Sequence, residues 1–591
     1  MHKLLNPKTI LTALLATFVS ATATAVPFQQ IADEDVELLF TIRSLSELRE
    51  QWLEHPMAEI FKDESLKELF ERQGNSEEAI IKPFFEEIKD TFGLSEDEFF
   101  ELFSGQVGLA IYNISDQILE NERPVEFFVM AEFSGDTERL RELMQIQFER
   151  NAEMHREENP LAEHTWVEET FMGETLHFDE TFDGEETHIE DGYALVDDIL
   201  VLATPEARLR QAVEMIKDGA EAPLSGSEPY RRAREHSGRG DVALYINLLE
   251  LMPHLNASLD ELPIDGNLAL LGVTPQSLKS ALSLEAMEGL FWDIDLIKDG
   301  ILSYGGILYS EKSGILSLFE YVEGELPEAH YVPDNVLNAF VARFDISEMY
   351  QSLEEFLSTA SPQMLSMIDI QMQIVQTNTG VNLHTSLLEN FGTKIVGFAV
   401  LEEDTVEWTQ PQQLVVFDLR DAEAFSQALN ALIDSAPFVR PMMEESKFEG
   451  ETIYSIVTPG QPSTSEGAIH YTVTRSKFIL SMGHVSLLHT VLSNMKNDDD
   501  GFWQDPDVLA LFEKIEQPNA VAQNYYDMEQ LIDFVFKFLS GMNRFGGAAE
   551  QLPPTEVPES LKGGYRFISE TNENPDGLFW RVLIVNDESE E

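Results

Sequence analysis

Along the chain, short stretches of alternating apolar and polar positions give way to stretches with apolar residues every three or four positions. The first pattern puts successive side chains on opposite faces of a strand, and the second puts them on one face of a helix. Strands are expected at Val36–Ile42, Val107–Tyr112, Val125–Glu132, Tyr193–Thr204 and Val242–Ile246, with strand pieces from His164 to Phe178. Helical periodicity covers the run after Ser44, Asp136–Arg150, Glu206–Lys217 and the residues around Tyr230. A hairpin-like end runs from Leu282 to Phe319, with Gly305-Gly306 read as its turn or a bulge. Regular strand–helix–strand crossovers are scarce. The pattern therefore favours an α+β fold with largely antiparallel sheets and flanking helices over a doubly wound parallel sheet.

The pattern also recurs. Gly289-Leu290-Phe291-Trp292 returns unchanged as Gly577-Leu578-Phe579-Trp580. Gly105 before one alternating run matches Gly392 before another, and Asp136 opening a helical stretch matches Asp421. Gly173-Glu174-Thr175 matches Gly450-Glu451-Thr452, Asp198–Leu202 matches Lys477–Ser481, Pro229 matches Pro506, Tyr245 matches Tyr525, and Leu278-Lys279 matches Leu561-Lys562. The spacing drifts as short loop insertions would make it drift, and the order never reverses. Two tandem homologous α+β units are expected, at residues 26–324 and 325–591, with a Gly- and Pro-marked boundary around Gly324 and Pro327. Trp292 and Trp580 are expected at equivalent, largely buried positions on late strands. Most shared positions are Gly, Pro, aromatic or aliphatic, which specify turns and cores. The repeat thus describes a scaffold and duplicates no polar site.

Composition adds an address. Lys3 and Lys8 precede the apolar run Ile10–Ala21, and Ala23-Thr24-Ala25 offers a small-x-small cleavage pattern. Residues 1–25 are read as a signal peptide, leaving Val26 as the first mature residue. No later run is long and apolar enough to span a bilayer, so no transmembrane segment is expected after cleavage. With no cysteine in 591 residues, disulfides, thiolate metal sites and cysteine nucleophiles are excluded. An export signal without cysteine fits a periplasmic or extracellular protein. Lys plus Arg is 38 against 107 for Asp plus Glu, a formal charge of −69, which argues against nucleic-acid binding because phosphates are neutralised by cations. The export signal, the repeated α+β units and the Leu-Lys-Ser stretch at Leu278–Ser280 resemble an exported bacterial family of unknown function. That resemblance implies an architecture and no catalytic residues.

Candidate chemistry is sparse. There is no G-x-S-x-G, no P-loop, no G-x-G-x-x-G and no H-E-x-x-H. His484 and His489 stand five apart, off one helical face, and are read as ordinary histidines. The segment His177–Asp191 gathers two histidines and seven acids and could hold a cation. With acids this common it is read as a solvated hairpin loop turning at Gly184. Asn497–Gly501 has a calcium-loop look, but Lys496 occupies the first ligand position and the bidentate Glu is missing. Arg231, Arg232, Arg234 and Arg239 form the one basic patch and are expected to fold back on the protein's own acids. Arg239-Gly240-Asp241 is read as a turn before a strand. No catalytic, cofactor-binding or metal-ligating residue is assigned, and no cofactor is expected. The favoured function is an exported acidic protein, non-enzymatic, with a binding, scaffolding or envelope-maintenance role toward an unknown protein or apolar ligand. The alternatives are a carrier or chaperone for apolar cargo in a groove between the repeats, and a carboxylate-based hydrolase.

The charge makes a thermodynamic prediction. Self-repulsion of −69 destabilises a compact chain, and salt shortens the Debye length from about 10 Å at 0.1 M to about 3 Å at 1 M. A melting series should show the midpoint rising with NaCl and then levelling off, with CaCl₂ no better than MgCl₂ at equal concentration. A sharp rise at low Ca²⁺ with none in NaCl would instead mark a calcium site in the acidic loops.

Overall fold

A computed structural model describes residues 27–62, 89, 94–114, 126–135, 137–158, 163–182, 187–260, 262–401, 410–436, 438–457, 467–497, 501–543, 557, 561–562 and 564–586. The segment expected to be a signal peptide, Asp136 and Gly184 lie outside them, as do most of the Asn497–Gly501 segment and of the loops after Thr458 and Gly541. The fold is α+β, and its strand pairings are antiparallel. The chain divides into two compact units, Met1–Ser258 with Met287–Tyr309, and Leu259–Ala286 with Ser310–Glu591.

In the first unit, ten strands lie among the described residues. They are β1 (Leu38–Ile42), β2 (Val107–Tyr112), β3 (Glu126–Glu132), β4 (Glu163–Phe171), β5 (Glu174–Phe182), β6 (Thr187–Val196), β7 (Ile199–Thr204), β8 (Val242–Asn247), β9 (Met287–Ile297) and β10 (Gly300–Tyr309). Their pairings give the order β4-β5-β6-β7-β3-β2-β1-β8-β9-β10. The central strand β2 is buried along nearly its whole length, and its neighbour β3 is buried at four successive positions, Phe128 to Ala131. Helix α1 (Leu45–Glu54) starts at Ser44, whose side chain accepts the amide of Glu47. Helix α2 (Thr137–Glu158) buries Leu140 and Leu143 in a core shared with Ile42, Phe99, Val107 and Tyr193. Helix α3 (Glu206–Asp218) seats Leu209, Ala212 and Val213 along the same amphipathic face.

In the second unit the described strands are β11 (Val336–Arg343), β12 (Phe391–Val400), β13 (Gln412–Leu419), β14 (Met443–Phe448), β15 (Glu451–Ile456), β16 (Ile469–Val473), β17 (Lys477–Met482), β18 (Ala520–Asp527), β19 (Tyr565–Asn574) and β20 (Gly577–Asn586). They pair as β14-β15-β16-β17-β13-β12-β11-β18-β19-β20. Rank for rank, this is the order of the first unit. The hairpins β4–β5 and β14–β15 also turn alike. Met172 and Gly173 have φ of 50° and 89°, and Glu449 and Gly450 have 54° and 90°. Two successive left-handed residues are what a two-residue turn needs to match strand twist, and glycine adopts the second at no steric cost. Asp421 caps the helix Ala422–Ser435, accepting the amides of Glu423 and Ala424 at 3.0 Å.

Two expectations fail. Trp292 sits on β9, the ninth strand of its unit, whereas Trp580 sits on β20, the tenth of its own. The shared tetrapeptide therefore does not mark equivalent positions. Trp292 is 51% exposed, because alternation along an edge-proximal strand turns it outward, where its indole N–H meets Ser303. Gly305-Gly306 is neither turn nor bulge. The pair lies mid-strand in β10, opposite Trp292 and Phe291, and the turn falls at Lys298-Asp299. Glycines there stand across from two large rings.

The arginine patch closes on the protein's own carboxylates. Arg231 pairs with Glu228, Arg232 with Glu288, and Arg234 with Asp293. Arg239-Gly240-Asp241 forms a turn wrapped around Asp295, whose carboxylate accepts the amides of Arg239 at 2.7 Å, Gly240 at 2.6 Å and Asp241 at 3.1 Å. Asp241 is itself buried and accepts from Arg43 Nη2 at 3.0 Å, Arg239 Nε at 2.8 Å and the amide of Leu296 at 3.1 Å. Replacing it takes a buried carboxylate partner from two arginines and strands the buried amide of Leu296. Asp241→Ala is expected to cost about 2–4 kcal/mol in urea denaturation, and Asp241→Asn about half as much, since the amide oxygen can still serve Leu296.

Candidate functional site

The site builds from the β4–β5–β6 meander of the first unit. The two-residue turn at Met172-Gly173 fixes the register, so Glu168 stands opposite His177 and Trp166 opposite Asp179. The next ladder puts Tyr193 opposite His177. Period-two alternation then brings Trp166, Glu168, His177 and Tyr193 to one face. The rings form a cluster. His177 stacks on Tyr193 with centroids 4.5 Å apart and planes 11° apart, and Trp166 lies 5.5 Å from each. Stacked pairs of this kind add about 0.5–1.5 kcal/mol beyond the area they bury.

Helix α2 forms the other wall. Its inward side carries Leu140, Leu143 and Phe148, the last at 4.3 Å from Trp166. The neighbouring stripe, Arg141, Glu142, Gln145, Ile146 and Glu149, faces a cleft of about 510 Å³ whose other lining residues are Trp166, Glu168, His177 and Tyr193. That volume falls in the range of small-molecule sites, roughly 300–1,000 Å³. Most lining polar groups have local partners. Arg141 donates to Glu138 at 3.3 Å, and Gln145 donates to Glu149 at 3.0 Å. Deeper in the meander, His164 Nδ1 lies 3.1 Å from Asp179 and 3.0 Å from the Thr181 hydroxyl.

His177 is the exception. It is 8% exposed, and among the described residues its Nδ1 has no hydrogen-bond partner. The Glu168 carboxylate is 3.4 Å away, an ion pair only if the imidazole is charged. Burial holds the imidazole below its usual pKa, with Glu168 pulling it up and Arg141 pushing it down. At neutral pH the ring is therefore uncharged, and a buried nitrogen and a carboxylate face the cleft side by side. Burial also pushes the Tyr193 phenol up to about 12.

Of the acidic segment His177–Asp191, the structure gives Asp179 to His164 and places His177 in the aromatic cluster. Among the described residues no group of three or more His, Asp or Glu could hold a metal ion. His484 accepts the amide of Ser486, and His489 stacks on Phe448 at 4.0 Å. The sequence reading missed Trp166, Glu168 and Tyr193 as partners of His177. The signal was available, since Gly173 marks the turn that sets their register.

No protein-family profile matches the chain, and no curated protein matches it. The chain is similar to three solved structures of TP0453, in crystal forms III, I and IV. Their TM-scores are 0.21, 0.22 and 0.23, at 10%, 10% and 9% identity, covering 49%, 49% and 48% of this chain and 81% of that one. Likeness at this level supports no argument about the site. Among the described residues no helix is long and apolar enough to cross a membrane.

The lowered pKa of His177 has a signed consequence. The unfolded ring takes up a proton near pH 6.5 while the folded ring resists it, so the unfolded state binds more protons as pH falls through that value. The stability of His177→Gln relative to the parent should therefore improve between about pH 7.5 and about pH 5.5. Urea denaturation of both proteins at each pH measures it. A difference that stays flat with pH would show that His177 does not titrate this way.

Proposed function

We propose that this chain is an exported, acidic, non-enzymatic binding protein built from two copies of one α+β unit, and that the first unit binds small amine-bearing ligands in the α2–meander cleft. One observation carries the reading: the buried, unpartnered Nδ1 of His177 stands 3.4 Å from the Glu168 carboxylate inside a wall of aromatic rings. In the tautomer protonated at Nε2, the Nδ1 of His177 and the Glu168 carboxylate both accept, and a ligand ammonium donates to both at once. The faces of Trp166 and Tyr193 attract the same cation through the ring quadrupole and take up an attached apolar body, with Ile146 opposite. Charge agrees, since the lining holds Glu142, Glu149 and Glu168 against the single cation Arg141. The identical strand order of the two units supports the duplication. The n-region, apolar run and Ala23-Thr24-Ala25 support export, and N-terminal sequencing from the native host tests it by a start at Val26.

Titration calorimetry with tyramine and with its uncharged analogue 4-ethylphenol tests the ligand class. Tyramine is expected to bind at least about tenfold more tightly, a difference of about 1.4 kcal/mol, and Glu168→Gln is expected to erase that advantage. Equal binding of both probes, or an unchanged tyramine affinity in Glu168→Gln, would remove the amine reading.

A further inference from the structure

A second surface lies in the second unit, on the helix Pro362–Thr379. Ser361 caps its start, with its hydroxyl 3.3 Å from the amide of Met364, and Gly380 ends it at φ 75°. None of its eighteen residues is buried. Met364, Leu365, Ile368, Met372 and Val375 are half-buried, on the side that meets the helices Ile346–Ala360 and Ala422–Ser435. The outer side is apolar too. Met367 is 58% exposed, Ile370 53% and Ile374 47%, which is an i, i+3, i+7 stripe. Past the helix start the Ser361 hydroxyl donates to the Leu271 carbonyl at 2.5 Å, and the short helix Gly266–Leu270 that precedes Leu271 exposes Leu268 and Leu270.

An outward helix face normally carries charge, and this protein has charge in excess. Here the helix has a single charged side chain, Asp369. Around it, residues 345–393 contain six acids (Asp345, Glu348, Glu354, Glu355, Asp369 and Glu389) and no Lys or Arg. An apolar stripe in a stretch of chain whose Asp and Glu residues outnumber its cations, with Arg420 from outside that stretch answering Asp345, is a specific recognition chemistry. Contiguous exposed apolar surface marks interaction sites, and methionine adapts to varied partners. We propose that this face docks a basic amphipathic helix of another polypeptide, its apolar residues packing against Met367, Ile370 and Ile374 and its Lys or Arg residues answering the acidic rim. Helix-on-helix packing suits the spacing of the stripe. A second copy of this chain would bring the same acids to the same rim at a net charge of −69, and an anionic lipid surface would be repelled in the same way.

The test uses the full-length chain and an eighteen-residue peptide of Leu and Lys with its leucines on one helical face. The control is the same composition scrambled so that no face is apolar. The expected result is that the patterned peptide binds at least about tenfold more tightly than the scrambled one, and that Met367→Ser/Ile370→Ser/Ile374→Ser abolishes the difference. Ile370→Lys, a single exposed change, should weaken the patterned peptide alone and serves if the triple variant fails to fold. Equal affinity for the two peptides would mean that net charge alone attracts them and would overturn the proposal. So would a preference untouched by both variants. Sedimentation velocity showing a dimer that the triple variant dissolves, or flotation with neutral phosphatidylcholine vesicles lost in that variant, would assign the face to another occupant and overturn it equally.

Discussion

Cations are the scarce material of this chain, and where they go decides how its distant segments are held. With 38 Lys and Arg against 107 acids, there are too few cations to pair with most carboxylates, and the excess acids repel one another. Many described cations bridge positions far apart in sequence. Arg43 reaches Asp241, Arg234 reaches Asp293, Arg208 reaches Glu126, and in the second unit Arg420 reaches Asp345 and Lys477 reaches Asp418. These are junctions where elements remote in sequence meet and where local hairpins give no help. Loop closure costs entropy before its contacts return anything, so a charge-assisted bond at such a junction acts where closure is hardest. The turn around Asp295 shows the same economy without a cation, because three successive backbone amides serve one carboxylate.

Much of the fold was legible because strands and turns are locally encoded. Alternation found β2 and β3, whereas Gly173 and Gly450, matched only as landmarks of the repeat, hold the left-handed second position of two hairpin turns that the sequence reading did not name. The Gly289–Trp292 match misled because identity of residues is not identity of register. Ladder pairing sets Gly300 and Gly577 at the start of their respective last strands, and that alignment puts Ser303, not Trp292, in the place of Trp580. The site was half legible. His177 drew notice among acids as a metal candidate, but its role comes from three partners on two other strands. The exposed helix went unread because its apolar periodicity resembles an ordinary core helix. What marks it out is its missing charge, a signal visible only against the acidity of the rest.

The two units treat the same place in the meander differently. In the first, His177 stacks on Tyr193 beside Trp166 and Glu168. In the second, the same ladder positions hold Tyr454 on Tyr471, stacked at 5.0 Å and 20°. The stack persists with a phenol in place of the imidazole. Across from Tyr454 stands Glu445, as Glu168 stands across from His177. A cross-strand ring pair is thus part of how either meander holds its face, and the imidazole is what the first unit adds to it. A phenol hydroxyl can turn to donate or accept, whereas a neutral imidazole has one donor nitrogen and one acceptor nitrogen at fixed positions on its ring.

This divergence explains how one architecture can carry two kinds of surface. Sheet order and hairpin turns depend on Gly, β-branched and aromatic residues, which both units keep. Helix outer faces and meander faces lie off that framework and are free to vary. The first unit spends its variation on a charged, aromatic cleft sized for a small molecule. The second spends it on an uncharged helical stripe sized for a polypeptide. The two proposed readings share a cationic partner, because each surface sets acceptors or apolar groups among acids and offers few cations. A chain that repels anions everywhere gains selectivity wherever it pairs that repulsion with shape. On the proposed readings, the excess charge disfavours anionic partners, and the shapes of the cleft and the stripe discriminate among those that remain.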